Sequence, residues 1–154
     1  MRFSTLFCFL ITASLLGGCV STSSYLAKMN KIRDRELPKM EQQMTAAHFE
    51  LGAPLYLRLF KQEGALEVWM QDRNTGLYNM YKSYPICTFS GGLGPKLREG
   101  DKQAPEGFYD VVEDRLWPGS QYHLAMNIGF PNEYDVAHGR NGSYLMIHGG
   151  CKSD

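Results

Sequence analysis

The sequence predicts a mostly β domain that follows an N-terminal helical segment. Its 154 residues include 9 Tyr, 8 Phe and 16 Gly, a mixture typical of short strands joined by turns rather than of a helical bundle. Leu55, Leu57 and Leu59 alternate with other residues, and a second alternating run covers 65–70, which is the period of a β-strand. The length favours a leader plus one globular domain.

The charge balance argues against one class of partner. Lys and Arg together number 16, Asp and Glu also number 16, and the net formal charge at pH 7 is +0. No basic field is available for a phosphate backbone, so we expect no nucleic-acid partner. The Gly91-Gly92 turn lacks the Lys-Ser/Thr ending of a phosphate-binding loop. We therefore expect no nucleotide and no other cofactor.

The first residues predict export and a lipid anchor. Arg2 precedes an apolar run at 6–16 that is too short to span a bilayer, and Leu-Gly-Gly-Cys follows at 16–19. This run looks like a bacterial lipobox, so we expect 1–18 to be a signal peptide and Cys19 to be acylated. An ordinary cleaved signal peptide is the alternative. Val20 follows the Cys instead of Asp, which favours the inner face of the outer membrane, in the periplasm.

The residues after Cys19 predict a tether and then helix. We expect 19–24 to be a polar tether and 25–53 to be a helical segment, in which Pro38 divides one helix from the next. We expect Gly52 and Pro54 to end the second helix. The apolar residues recur at steps of three and four, which is the helical period: Met29, Ile32, Met40, Met44 and Ala47.

Further strands and two long loops are expected downstream. The stretch 77–89 is interpreted as a strand pair, and 108–112 and 144–148 as single strands. Between them, 90–107 and 127–142 are rich in Gly, Pro and polar residues, and loops of that length in a small domain are usually functional.

Two cysteines remain once Cys8 leaves with the leader and Cys19 carries lipid. Cys87 and Cys151 are too few for a disulfide framework. They could pair with each other in an oxidising compartment, or one could be a reactive thiol. The simplest interpretation of Cys87, on a predicted strand, is a buried small apolar residue.

The end of the last predicted strand is the candidate site. It delivers His148 into the Gly149-Gly150 turn, which puts an imidazole beside exposed backbone amides. A cysteine nucleophile needs such surroundings, namely a base for its proton and N–H donors for the oxyanion. Arg140 either holds a substrate carboxylate or pairs with Asp135 and pins the loop.

Metal and acid catalysis are not expected. Asp135, His138 and His148 could be imagined as zinc ligands, but no usual zinc spacing is met. Asp101 is interpreted as a carboxylate that caps a turn rather than as an acid catalyst.

A series of short motifs runs through the second half of the chain: Phe89-Ser90-Gly91-Gly92-Leu93-Gly94-Pro95-Lys96, Gly100-Asp101, Pro105-Glu106-Gly107-Phe108-Tyr109, Asn127-Ile128-Gly129-Phe130-Pro131-Asn132 and His148-Gly149. In this order they resemble the catalytic domain of the L,D-transpeptidases, the YkuD type, over 54–154. The nearest branch is the Gram-negative one related to the amidase that releases murein lipoprotein from peptidoglycan.

The resemblance implies a twisted β-sandwich whose cleft holds a His and a Cys. It implies that a cysteine thiolate attacks an amide bond of a peptidoglycan stem peptide, at diaminopimelate, and forms a thioester. An amine or water then resolves this thioester, by transpeptidation or hydrolysis. His148 would be the general base, and Gly149 and Ser153 would belong to the turn that shapes the oxyanion hole. The implied partners are stem peptides, with or without linked lipoprotein.

The family motif continues from His-Gly through a spacer to Ser, any residue, Gly and the nucleophilic Cys. His148-Gly149, Ser153 and Asp154 match its first part, so the Gly-Cys pair would follow Asp154. We expect either that the chain is incomplete at its C-terminus or that it is a catalytically inactive, peptidoglycan-binding envelope lipoprotein. Cys151 lies inside the spacer and would need hydrogen-bond reach to His148 to replace the nucleophile.

Overall fold

The computed structural model describes the backbone of residues 19–151 and the side chains of residues 26–151. The expected signal peptide lies outside the described residues. The helices and strands follow in this order: α1 Cys19–Ala46, β1 Leu55–Phe60, β2 Ala65–Gln71, β3 Tyr78–Pro85, β4 Leu116–Trp117, β5 Ala125–Asn127, α2 Glu133–Ala137 and β6 Met146–His148.

The first sheet is an antiparallel meander in the order β1-β2-β3. Leu55 pairs with Met70 and Phe60 with Ala65, which confirms both alternating runs as neighbouring strands. A register shift between Val68 and Trp69 marks a bulge opposite β3.

The second sheet is smaller and has the order β4-β5-β6. Leu116 pairs with Met126, and Ala125 pairs with His148. Two antiparallel sheets behind an N-terminal helix confirm the predicted fold class.

The buried core joins the end of α1 to the first sheet. Met44, Phe49 and Met70 are buried together, and Val68 and Tyr81 pack against them. The Phe49 and Tyr81 rings meet edge to face with centroids 5.6 Å apart, a favourable aromatic geometry. This cluster fixes the helix on the sheet.

Pro38 does not divide α1, which runs unbroken from Cys19 to Ala46 and includes the expected tether 19–24. A proline removes one backbone hydrogen bond and clashes with the preceding turn, at a cost of about 3 kcal/mol. The long helix on both sides, rich in Lys, Met, Glu and Leu, offsets that cost. Ser and Thr are only modestly poorer helix formers than Ala, so the tether continues the helix.

The helix also ends earlier than expected, at Ala46 rather than before Gly52. His48 adopts the left-handed conformation with φ 63°, and its N–H donates to the Thr45 carbonyl at 3.2 Å. The Phe49 N–H donates to the Met44 carbonyl at 2.8 Å. These two bonds form a helix-ending motif that usually contains Gly at the position of His48, so the sequence did not reveal it.

The predicted strand pair at 77–89 is wrong, because the segment forms the single strand β3. After Pro85 the Ile86 N–H donates to the Gly64 carbonyl at 2.7 Å, and the chain leaves the sheet. The stretch 108–112 is not a strand either. Its Phe108 carbonyl accepts a hydrogen bond from the Asn132 side chain, whose Nδ2 lies 2.8 Å away, and not from a neighbouring strand.

The last predicted strand is shorter than expected. Only Met146–His148 pairs, because Tyr144 has φ 55° and interrupts the extended backbone. The strands β4 and β5 and the helix α2 were not predicted, because they are short. No helix in the described part of the chain is long and apolar enough to cross a bilayer.

Candidate active site

An open cleft of about 2440 Å³ lies between the two sheets. The first sheet lines it with apolar side chains, among them Leu57, Leu66 and Val68. The turn 148–151 at the end of β6 lines it as well. The cleft therefore places an apolar wall beside the predicted base.

His148 is half-buried at the end of β6, where its pairing with Ala125 is the last of the ladder. Its Nδ1 lies 2.9 Å from the Gly149 carbonyl oxygen. A carbonyl only accepts, so Nδ1 carries the proton in the neutral ring and Nε2 keeps its lone pair. No partner for Nε2 is found among residues 26–151. The ring also stacks on Tyr122, with centroids 4.6 Å apart and planes 27° apart.

Gly149 is held against the preceding loop. Its N–H donates to the Leu124 carbonyl at 3.1 Å. A Cβ at this position would lie 2.9 Å from the Tyr122 carbonyl oxygen and 3.1 Å from His123 Cβ, so a side chain does not fit. Gly150 then takes φ 82° and turns the chain. Gly149 is thus required for lack of space, and Gly150 is favoured by its positive φ.

Cys87 and Cys151 form a disulfide, with Cα atoms 5.6 Å apart. Both residues are exposed, so the interpretation of Cys87 as a buried apolar residue is wrong. The reason is that β3 ends at Pro85, which leaves Cys87 outside the sheet. Of the alternatives left open, pairing is the one that the structure shows, and a paired Cys151 carries no thiol for a nucleophile.

Lys61 holds the loop 90–107 in place, a role that sequence analysis missed. Its Nζ donates to the Gly94 carbonyl at 2.7 Å and to the Ala104 carbonyl at 2.6 Å. It also lies 3.1 Å from Glu106 Oε1, and this hydrogen bond is the largest cause of a lowered Glu106 pKa. Gln103 Nε2 adds a bond to the Gly94 carbonyl at 2.6 Å. No local pattern could reveal contacts over such sequence distances.

Asp101 caps a turn in the same loop, as predicted. Its carboxylate accepts hydrogen bonds from the backbone N–H groups of Leu97 and Arg98, at 2.8 and 3.0 Å, and from Lys96 Nζ at 2.5 Å. Burial raises the Asp101 pKa, but the hydrogen bonds of Lys96 and the backbone outweigh it and hold the pKa well below the usual range. The carboxylate stays charged and is already occupied.

The loop 127–142 is organised around Asp135, which is 1% exposed. Asn132 and Asp135 form a capping box at the start of α2. Asp135 Oδ2 accepts from the Tyr109 hydroxyl at 2.9 Å, and Asp135 Oδ1 accepts from Arg140 at 2.9 Å. Tyr109 lines the cleft, so this buried carboxylate ties the second loop to the cleft wall.

Arg140 pairs with Asp135, which is the second of the two roles predicted for it. Its guanidinium pairs with Asp135 and lies 5.3 Å over the Tyr134 ring, and it does not line the cleft. A contact between Arg140 and a substrate carboxylate stays a prediction. Asp135 and His138 do not meet His148, and no group of three or more His, Cys, Asp or Glu side chains in the described part of the chain could hold a metal ion.

Two predicted positions cannot be placed. Ser153 lies outside the described residues, and so does the side chain of Cys19. His148 and Gly149 are therefore the predicted site residues that the structure brings together at the cleft. Tyr122, which stacks on His148, was not predicted, because no sequence signal links it to β6.

The chain is 44% identical over 144 residues to the Escherichia coli K12 protein named "Putative L,D-transpeptidase YafK", with 94% of this chain and 55% of that protein covered. The protein of the same name from E. coli O157:H7 gives the same values. The chain thus spans about half the length of the curated relatives it matches. No family model matches the chain.

A solved structure shares the fold. The crystal structure of the helical cell shape determining protein Pgp2 from Campylobacter jejuni superposes with a TM-score of 0.50 at 24% sequence identity. The match covers 71% of this chain and 40% of that one.

Proposed function

The described part of the chain is an L,D-transpeptidase-type domain, and on that premise we propose that the protein processes peptidoglycan through cysteine chemistry at a stem-peptide amide. The observation that carries the proposal is the His148 imidazole. It lines an open cleft, and its Nδ1 is 2.9 Å from a backbone carbonyl, so that Nε2 keeps the lone pair that can accept a proton.

The reaction follows from these groups. His148 takes the proton of the cysteine that the family motif places two residues beyond Asp154. The thiolate attacks the amide carbonyl carbon, and backbone N–H groups of the turn stabilise the oxyanion. The C–N bond breaks, the imidazolium returns its proton to the leaving amine, and a thioester remains. An amine or water attacks the thioester and restores the thiol.

The turn has donors to offer to an oxyanion. Within residues 19–151, no acceptor is found for the backbone N–H of Gly150 or of Cys151. Backbone N–H groups at a tight glycine turn suit a developing negative charge because they are fixed before the reaction begins. Gly149 fixes the start of this turn through its bond to Leu124.

A sacculus assay tests the proposal. Lipoprotein-bearing sacculi are incubated with the chain and with a version that continues past Asp154 through the Gly-Cys pair, and released muropeptides are measured. We expect the continued version to convert stem peptides. His148→Gln in that version should lower the rate by about 10²–10⁴-fold, since it removes the general base.

The chain offers a matched control for this assay. His138 also has its Nδ1 on a backbone carbonyl, that of Tyr134 at 2.8 Å, but it does not line the cleft. His138→Gln should therefore keep the activity. Full activity of His148→Gln would contradict the proposal. Tight binding to sacculi without conversion by any version would favour the inactive peptidoglycan-binding lipoprotein instead.

We also propose that Cys19 anchors the protein by lipid to the periplasmic envelope, on the inner face of the outer membrane. The support is the Leu-Gly-Gly-Cys run at 16–19 behind a short apolar stretch. Cys19→Ala should move the protein from the membrane fraction to the soluble periplasmic fraction on cell fractionation. Retention of Cys19→Ala in the membrane fraction would contradict the anchor.

A further inference from the structure

The Cys87–Cys151 disulfide joins two sheets that share no strand pairing. Cys87 follows β3 of the first sheet, and Cys151 follows β6 of the second, 64 residues later in the sequence. Both cysteines line the same cleft as His148. The bridge is therefore a covalent brace at the candidate site.

Among the described residues, few other groups hold the turn after His148. Upstream, the Ala125 pairing and the Gly149 bond to Leu124 hold it to the second sheet. Beyond Gly149, no backbone–backbone hydrogen bond is found within the described range, and Cys87 Sγ lies 3.8 Å from the Gly150 carbonyl oxygen. Gly150 has φ 82°, a conformation from which a glycine can move at little cost. Within residues 19–151, the disulfide is thus the main restraint on the end of the turn.

This restraint reaches the imidazole through one peptide plane. The carbonyl oxygen that binds His148 Nδ1 belongs to Gly149, and it lies in the same rigid plane as the N–H of Gly150. If the end of the turn moves, this plane rotates and Nδ1 loses its acceptor. Tyr122 would still stack on the ring, because it belongs to the loop that precedes β5. The ring would stay while its tautomer changes.

We propose that the Cys87–Cys151 disulfide positions the 148–151 turn so that His148 holds its proton on Nδ1, and that reduction of the disulfide abolishes this arrangement. The proposal rests on the proposed function in that His148 is the base. Both cysteines are exposed, so a reductant can reach them. A dithiol, in the form of a small thiol reagent or a thiol–disulfide oxidoreductase, supplies the two electrons and two protons.

The reduction proceeds by two thiol–disulfide exchanges. One thiolate of the dithiol attacks a sulfur of the bridge, which forms a mixed disulfide and releases the other cysteine as a thiolate that takes up a proton. The second thiol of the reagent then displaces the remaining cysteine. The products are Cys87 and Cys151 as thiols and the reagent as a disulfide.

The test is the imidazole nitrogen NMR spectrum of the full chain, with and without dithiothreitol, at an alkaline pH where histidine is neutral. In the oxidised protein we expect His148 to be protonated on Nδ1. On reduction we expect a mixture in which the proton also occupies Nε2. His138, whose Nδ1 lies 2.8 Å from the Tyr134 carbonyl and far from the bridge in sequence, is the internal control and should not change.

A double variant that lacks both cysteines tests the loss of the disulfide without any reductant. Cys87→Ser with Cys151→Ser should give the reduced spectrum without dithiothreitol and should not respond to it. Hydrogen exchange at the amide of Gly149, which donates to the Leu124 carbonyl at 3.1 Å, should become about tenfold faster, while the amides of β2 keep their protection.

Three outcomes would overturn the proposal. Two titratable thiols in the protein isolated under oxidising conditions would show that Cys87 and Cys151 are not bonded to each other. An unchanged His148 tautomer after reduction would show that the disulfide does not position the imidazole. A simultaneous change at His138 and loss of protection in β2 would make the disulfide a general stabiliser. None of these measurements uses substrate, so sacculus conversion with an unchanged tautomer would leave the proposed function standing while the positioning role falls.

Discussion

Asp135→Ala is expected to lower the free energy of unfolding by about 3–5 kcal/mol, the cost of breaking a buried ion pair from one side. Asp135 is 1% exposed and has three partners. Arg140 and the Tyr109 hydroxyl each bond to its carboxylate at 2.9 Å, and the Asn132 N–H lies 3.2 Å from Oδ2. Alanine would leave the Arg140 guanidinium and the Asn132 N–H without this acceptor in a nearly dry setting, and the Tyr109 hydroxyl with the Glu106 carbonyl at 3.5 Å.

The charges of this cluster explain the size of the effect. Burial raises the Asp135 pKa, but the hydrogen bonds from Arg140, the Asn132 backbone and Tyr109 outweigh it, so the pKa lies below its usual value. Burial, followed by the bond to Asp135, raises the pKa of the Tyr109 hydroxyl above its usual value. The carboxylate is thus charged and the phenol neutral. Removing the carboxylate leaves the Arg140 cation, whose side chain is 17% exposed, without its counterion.

The measurement is urea unfolding, compared by midpoint at unchanged slope. Asp34→Ala is the matched control, because that side chain is 71% exposed and its ion pair with Arg33 is at the surface. We expect it to change stability by about 0.5 kcal/mol or less. Asp135→Ala combined with Arg140→Met should cost less than the sum of the single changes. Equal losses for Asp135→Ala and Asp34→Ala would contradict the buried cluster.

The sequence predicted those elements in which one local pattern dominates. The alternation at 55–60 and 65–70 predicted β1 and β2 because a half-buried strand must separate its two faces residue by residue. The turn that follows β2 contains Asn74 and Thr75. There, Asp72 accepts the backbone N–H of Asn74 and of Thr75, at 2.8 and 2.9 Å.

The helix shows where local rules fail. Pro38 is a strong local signal, yet α1 continues through it, since a single unfavourable residue is offset by the rest of a long helix. The end of α1 was misplaced for the opposite reason, because His48 takes a conformation that usually favours glycine.

The candidate site depends on contacts that a single sequence does not encode locally. His148 and Gly149 were predicted because they are adjacent in a motif. The Lys61 bonds to the loop 90–107 and the pairing of Cys87 with Cys151 join residues far apart in sequence. Such pairs are decided by how the sheets meet. The cysteine count left the Cys87–Cys151 pairing open as one alternative, and no sequence pattern pointed to the Lys61 bonds.

Phe49→Ala should also cost about 3–5 kcal/mol, as expected for a large aromatic side chain removed from a core. Phe49 is 4% exposed and packs with Met44 of α1 and Met70 of β2. It also meets Tyr81 edge to face. Because this cluster fixes α1 on the first sheet, the loss should appear as a lower melting temperature and as reduced helical circular dichroism.

The chain supplies a phenylalanine as the control. Phe108 is 96% exposed, so Phe108→Ala removes the same atoms from water rather than from a core and should change stability by about 0.5 kcal/mol or less. The difference between the two variants then isolates the contribution of burial. If Phe49→Ala melted like Phe108→Ala and kept its full helical signal, the cluster of Met44, Phe49 and Met70 would not be what holds the helix to the sheet.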